Sequence, residues 1–124
     1  MRTLSIETRW NGDEASVALT GELDLSTAAQ VESALAEAEE KGPERLELDL
    51  RGLTFMDSTG LRVVLAADGR ARKDARRFEV IQGPQQVHRV FRIALLDRRI
   101  VFVAPPGDSR DGDGAPPADP EEPA

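Results

Sequence analysis

Two hydrophobic periods alternate along this chain, and that alternation leaves few ways for it to fold. Thr3 to Trp10 alternates apolar and polar side chains with the two-residue period of a strand; Asn11-Gly12 supplies hairpin-turn residues, and Ala15 to Leu19 alternates again. Gly21 to Leu25 leads to Ser26, a residue type that caps helix N-termini. Ala28, Val31, Leu35 and Ala38 then recur at helical spacing until Gly42-Pro43, predicting a helix over 27–41. Arg45 to Leu50 reads as a strand and Leu53 to Met56 as a second short apolar piece. The polar turn Asp57-Ser58-Thr59-Gly60 feeds a helix carrying Leu61, Val64 and Leu65. Phe78 to Ile81 is a further strand closed by Gly83-Pro84. Val87, Val90, Phe91, Ala94 and Leu95 fit a third amphipathic helix, and Ile100 to Val103 makes a last short strand.

The order is therefore β-β-α-β-α-β-α-β. Helices that alternate with largely buried strands predict an α/β fold, a small mixed β-sheet with flanking helices and right-handed crossovers. The opening hairpin is what makes the sheet mixed. The pattern leaves the strand order open.

A length of 124 residues fits one domain, with its boundary where the composition changes. Residues 105–124 read PPGDSRDGDGAPPADPEEPA, with six prolines and no large apolar side chain, so they are expected to form a disordered, solubilising acidic tail after a domain spanning 1–104. Of the net charge of −7, this tail holds −5, six acids against Arg110 alone; the remainder has seventeen acids and fifteen bases. So neutral a body offers no concentrated basic face for nucleic acid. The clusters Arg70, Arg72, Lys73, Arg76, Arg77 and Arg89, Arg92, Arg98, Arg99 read as solvated helix faces. With no cysteine and the single histidine His88, neither a thiolate site nor a metal site is expected. No apolar run approaches the ~20 residues of a membrane span, and no apolar signal core follows Met1-Arg2, so the expected address is the cytoplasm.

The chemistry concentrates in Asp57-Ser58-Thr59-Gly60, two hydroxyls and a carboxylate at the mouth of a helix that follows a strand. Free backbone N–H groups and the positive end of the helix dipole favour an anion there. A phosphoryl group on Ser58 would bring ~−1.5 to −2 charges at pH 7 and change the electrostatics of the surface with little change in shape, although Asp57 would repel it. The structural reading of the same residues is a helix cap, with Gly60 letting the helix approach its sheet. The two readings are compatible.

These residues resemble the STAS domains, in particular the bacterial anti-sigma-factor antagonists. Leu53-Thr54-Phe55-Met56-Asp57-Ser58-Thr59-Gly60-Leu61 is similar to that family's phosphorylation-site signature. Leu19-Thr20-Gly21-Glu22-Leu23-Asp24-Leu25-Ser26-Thr27-Ala28 is similar to its earlier G-E-[LI]-D stretch, and Val87 to Asp97 resembles its last helix. The resemblance covers about 3–103. It implies a non-enzymatic partner switch without a cofactor, one that binds an anti-sigma factor with serine kinase activity and frees a sigma factor. By the same resemblance Ser58 is the serine phosphorylated from ATP, and a phosphoserine phosphatase restores the binding form. Partner contacts are implied at Asp24, Asp57, Ser58, Thr59, Gly60 and Arg62. Asp24 also reads as a turn or cap residue before Ser26. The sequence departs from the family at Arg62, where many relatives carry glycine, and at Ala94-Leu95-Leu96 before Asp97; Arg62 either steadies a phosphate or projects as an ordinary helical base.

Competing readings are weaker. A hydrolase built on Ser58 and His88 lacks a G-x-S-x-G elbow, Gly60 stands in no G-x-x-x-x-G-K-[ST] loop, and the paired acids of a receiver domain are missing after the first strand. A STAS module that scaffolds a larger, stressosome-like signalling assembly without switching is the nearest alternative.

Overall fold

The computed structural model describes residues 3–105. The segment 106–124, which holds nearly all of the expected tail, and Met1 and Arg2 lie outside the described residues. Eight elements follow the predicted order: β1 Leu4–Asn11, β2 Glu14–Leu23, α1 Ala28–Glu40, β3 Arg45–Met56, α2 Ser58–Lys73, β4 Arg77–Ile81, α3 Gln85–Ile93 and β5 Phe102–Val103. They build one sheet in the order β1-β2-β3-β4-β5. The hairpin pair β1–β2 is antiparallel and every other pair is parallel, so the sheet is mixed as expected.

β3 is one strand where the sequence suggested two pieces. Its pairing with β2 slips between Asp49 and Gly52 and again between Leu53 and Phe55, each time spending one extra residue of β3. Each bulge reverses the side-chain alternation. The core-facing residues are accordingly Leu46, Leu48 and Leu50 at spacing two, then Leu53 and Met56 at spacing three. Gly52 sits in the first slip, where a Cβ would lie 2.6 Å from the Leu19 carbonyl oxygen.

One face of the sheet and the three helices share a single apolar core. Val17 and Leu19 of β2, Leu46, Leu48 and Leu50 of β3 and Val80 of β4 meet Val31 and Leu35 of α1, Val64 of α2, and Val87 and Phe91 of α3. Among the described residues no helix is long and apolar enough to cross a membrane.

The helix ends depart from the sequence reading. Thr27, not Ser26, occupies the N-cap of α1. α3 stops at Ile93, and β5 holds only Phe102 and Val103. Leu95 is therefore not on the apolar face: it has φ 61° and is exposed, while half-buried Leu96 packs on the core. The Leu95 and Leu96 N–H groups donate to the carbonyls of Arg92 and Phe91, and Ala75 and Arg76 repeat the pattern on Arg72 and Ala71 at the end of α2. Both are Schellman closures, which place a left-handed residue just past the helix, a position that favours glycine.

The opposite face of the sheet carries charge. Register sets Arg45 beside Glu14 and Arg77, and sets Glu47 directly beside Glu79. Two carboxylates side by side repel. Arg45 resolves the conflict by donating to Glu79 at 2.5 Å, Glu47 at 2.7 Å and Glu14 at 3.3 Å, while Ser16 donates to Glu47 at 3.2 Å. Burial would raise the Glu79 carboxyl, but hydrogen bonds from Arg45 and Arg77 outweigh it and hold the group below its usual value. Arg51 does the same for Asp49.

Two predictions follow from these contacts. Removing the shared cation in Arg45→Ala leaves buried Glu47 without a cation beside Glu79, which keeps only Arg77, and costs about 2–4 kcal/mol, read as a lower urea midpoint. Because Glu79 and Asp49 titrate lower folded than unfolded, their contribution is complete above the ordinary values of 4.5 and 3.8 and disappears as pH falls through the folded ones. The wild-type protein therefore loses stability in that acid window, and Arg45→Ala loses less there. Separately, Ala75→Gly and Leu95→Gly relieve left-handed strain and each raise stability by about 0.5–1 kcal/mol, measured by thermal or urea unfolding.

Candidate functional site

The parallel strands β2 and β3 end side by side, with Leu23 paired to Met56, and each runs directly into a loop that starts a helix. The two loops form one small surface.

On the β3 side, Asp57 is extended, with φ −116° and ψ −168°, and caps α2: its Oδ1 accepts from the N–H groups of Thr59 at 2.9 Å and Gly60 at 3.3 Å. This satisfies two of the donors that a helix start leaves open. The N–H of Asp57 donates to the Leu23 carbonyl at 3.4 Å and so ties the mouth of the helix to β2. Ser58 is the first helical residue and is exposed, and its hydroxyl makes no hydrogen bond among the described residues. Thr59 is half-buried. Gly60 is buried, and a Cβ there would stand 2.6 Å from Met56 Cγ and 2.9 Å from Leu23 Cγ. The close seat of α2 on the two strand ends requires a residue without a side chain at this point. Arg62 is exposed one turn further along, on the same side of the helix as Ser58, and makes no ion pair among the described residues.

On the β2 side, Asp24 is buried, 8% exposed, and organises the loop. Its Oδ1 accepts from the Ser26 N–H at 2.9 Å and the Ser26 hydroxyl at 2.7 Å. Thr27 Oγ1 accepts from the Asp24 N–H at 3.0 Å and donates to the Glu22 carbonyl at 2.8 Å. Asp24 thus serves as a turn residue. This lacing holds Leu25 outward with 80% of its surface exposed. Asp24, Leu25, Ser26 and Asp57 line one shallow cleft, so the two acids from sequence-distant motifs face the same surface, beside Ser58. Phe55, partly exposed on the strand that leads into Asp57, adds a second apolar element to this end of the sheet.

Of the residues singled out from sequence, Asp24, Asp57, Ser58, Thr59, Gly60 and Arg62 all fall on these two loops and the first turns of α2. Sequence reasoning passed over Leu25. Its signal was a large apolar residue between two turn-forming polar ones, at a position that neither the strand nor the helix period claims. His88 is not brought to Ser58. Its ring packs against Phe102 of the outer strand β5, with centroids 4.8 Å apart, and against Phe91 at 5.9 Å. Burial pushes its pKa down, and its Nδ1 is enclosed with no hydrogen-bond partner among the described residues. That is a packing role, so a base for Ser58 chemistry is missing from the position the hydrolase reading needed. No cluster of three or more metal-ligating side chains exists among the described residues.

A family model described as Mlab, STAS domain, matches residues 6–104. The anti-sigma-F factor antagonist RsfB of Mycobacterium tuberculosis is 32% identical over 84 residues, 68% of this chain and 68% of that protein. A crystal structure of an anti-sigma factor antagonist from Mycobacterium paratuberculosis superposes with a TM-score of 0.78 at 22% identity, covering 88% of this chain and 92% of that one. The Bacillus cell fate determinant SpoIIAA in its phosphorylated form superposes with a TM-score of 0.66 at 21% identity, covering 86% and 97%.

The geometry separates cap from spacer. Asp57→Ala removes the side-chain acceptor and costs about 1 kcal/mol, whereas Asp57→Ser keeps most of the cap. Gly60→Ala drives a methyl into buried Met56 and Leu23 and costs about 1–3 kcal/mol. Urea unfolding of the three variants should rank Asp57→Ser as the mildest.

Proposed function

Because the chain belongs to the STAS domain family, we propose that it acts as an anti-sigma-factor antagonist in the cytoplasm. In this reading it is a regulatory binding protein, not an enzyme. Its partner is an anti-sigma factor with serine kinase activity, and its binding frees a sigma factor. Ser58 takes the γ-phosphoryl group of ATP on its hydroxyl oxygen, leaving ADP, and a phosphoserine phosphatase hydrolyses the ester to restore the binding form.

The observation that carries this reading is the free, exposed hydroxyl of Ser58 on the first turn of a firmly capped helix, next to the held-out side chain of Leu25. An apolar side chain on a laced loop loses little freedom when a partner covers it, which favours a compact hot spot. The unphosphorylated surface offers Leu25 near a neutral hydroxyl. Phosphorylation adds ~−1.5 to −2 charges next to Asp57 and Asp24, within a contact that must lose water to form. Like-charge repulsion and desolvation then act together against binding. Neither requires the fold to change, because the helix start already presents N–H groups and Arg62 stands one turn away to receive part of the new charge. The relatives named as anti-sigma-factor antagonists, and the fold shared with a phosphorylated one, support the same role.

The test is binding to the ATP-binding anti-sigma factor captured from native cytosol, using folded Ser58→Ala and Ser58→Asp proteins side by side. Ser58→Ala should bind like the wild type, and Ser58→Asp about 100-fold more weakly, equivalent to about 2.8 kcal/mol. Leu25→Ala should also weaken binding, through a faster off-rate. Equal capture of one partner by both Ser58 variants would end the switch, and capture of a common large assembly by both would favour a scaffold.

A further inference from the structure

Most of the arginines in the described residues are spoken for. Arg9, Arg45, Arg51, Arg70, Arg72, Arg76, Arg77 and Arg99 all pair with carboxylates. Among the described residues Arg62, Arg89, Arg92 and Arg98 pair with none. Arg62 belongs to the site above, and the other three converge on one surface cleft along the outer side of α3, together with exposed Ile93 and Leu95 and the single acid Asp97. Arg89, Arg92 and Ile93 share one helix face, and the left-handed turn at Leu95 carries the chain round to Arg98 on the same cleft. On α2, by contrast, Arg70 and Arg72 pair with Glu39 and Asp68.

The described chain ends beside this helix. β5 is paired to β4 at the rim of the sheet, and its Phe102 ring lies 4.8 Å from that of His88 on α3. From Pro105 onward the sequence carries Asp108, Asp111, Asp113, Asp119, Glu121 and Glu122 with only Arg110 against them. From Pro105 to residue 118 a chain reaches roughly 40 Å when extended, well beyond the ~14 Å length of a nine-residue helix. A tethered segment also meets its own surface at effective concentrations of order millimolar, so individually weak contacts suffice.

We infer that the acidic segment 108–122 of this chain docks on the α3 cleft, its carboxylates on Arg89, Arg92 and Arg98 and its prolines against Ile93 and Leu95. This surface is separate from Ser58, and the inference does not depend on which partner that site binds.

The absence of cysteine allows a direct test on the full chain. A nitroxide on Ala118→Cys should enhance transverse relaxation selectively at amides 85–98 in ¹⁵N-labelled protein. Raising salt from ~0.01 to ~1 M shortens the screening length from ~30 to ~3 Å, and the enhancement should fall severalfold. The triple variant Arg89→Gln/Arg92→Gln/Arg98→Gln, shown folded by the unchanged amide spectrum of its β-sheet, should abolish it. Enhancement spread evenly over the surface, or retained in the triple variant, overturns the inference. So does enhancement that appears only between a labelled chain and a separate ¹⁵N chain, which would make the occupant a second copy.

Discussion

The close approach of the first turn of α2 to the ends of β2 and β3 is the contact on which the rest of the site depends. A Cβ at position 60 would collide with Met56 and Leu23, and both are core residues with little room to give. With glycine there, the helix start sits low enough for the Asp57 N–H to reach the Leu23 carbonyl, and this bond joins the helix mouth to the end of β2. Ser58 is then presented outward on the first turn because the preceding residue is committed to the cap and the residues after it to the sheet.

The β2–α1 loop reaches the same surface by a different device. Asp24 spends its carboxylate on Ser26, and Thr27 bridges back to Glu22, so the loop is laced by its own side chains. The consequence is an apolar side chain, Leu25, fixed in solvent beside an exposed serine. Order in the free protein lowers the entropy lost on binding. In the proposed function, this preorganised loop is what one added charge on Ser58 would act against.

Away from the site, the sheet manages its charges by sharing. Glu47 and Glu79 are forced together by register, and Arg45 neutralises both while also reaching Glu14. Among the described residues most arginines are paired in this way, and three that are not, Arg89, Arg92 and Arg98, gather on the outer side of α3.

The sequence by itself determined the element order and the mixed sheet, and it singled out the turn at the start of α2 as the candidate site. Hydrophobic periods of two and of three to four residues are local properties, and Asp57-Ser58-Thr59-Gly60 is a contiguous turn whose chemistry is intrinsic to its residue types. What misled was also local: two bulges in β3 reversed its alternation and made one strand look like two, and the left-handed closure at Leu95 turned an apparently apolar helix position into solvent. Only the tertiary structure decided that Asp24 and Asp57, more than thirty residues apart, share a cleft, that His88 is held among Phe91 and Phe102, and that Leu25 projects from the surface. Those outcomes depend on strand order and on the register of parallel neighbours, which are set by packing between segments distant in the chain, and no local pattern encodes them.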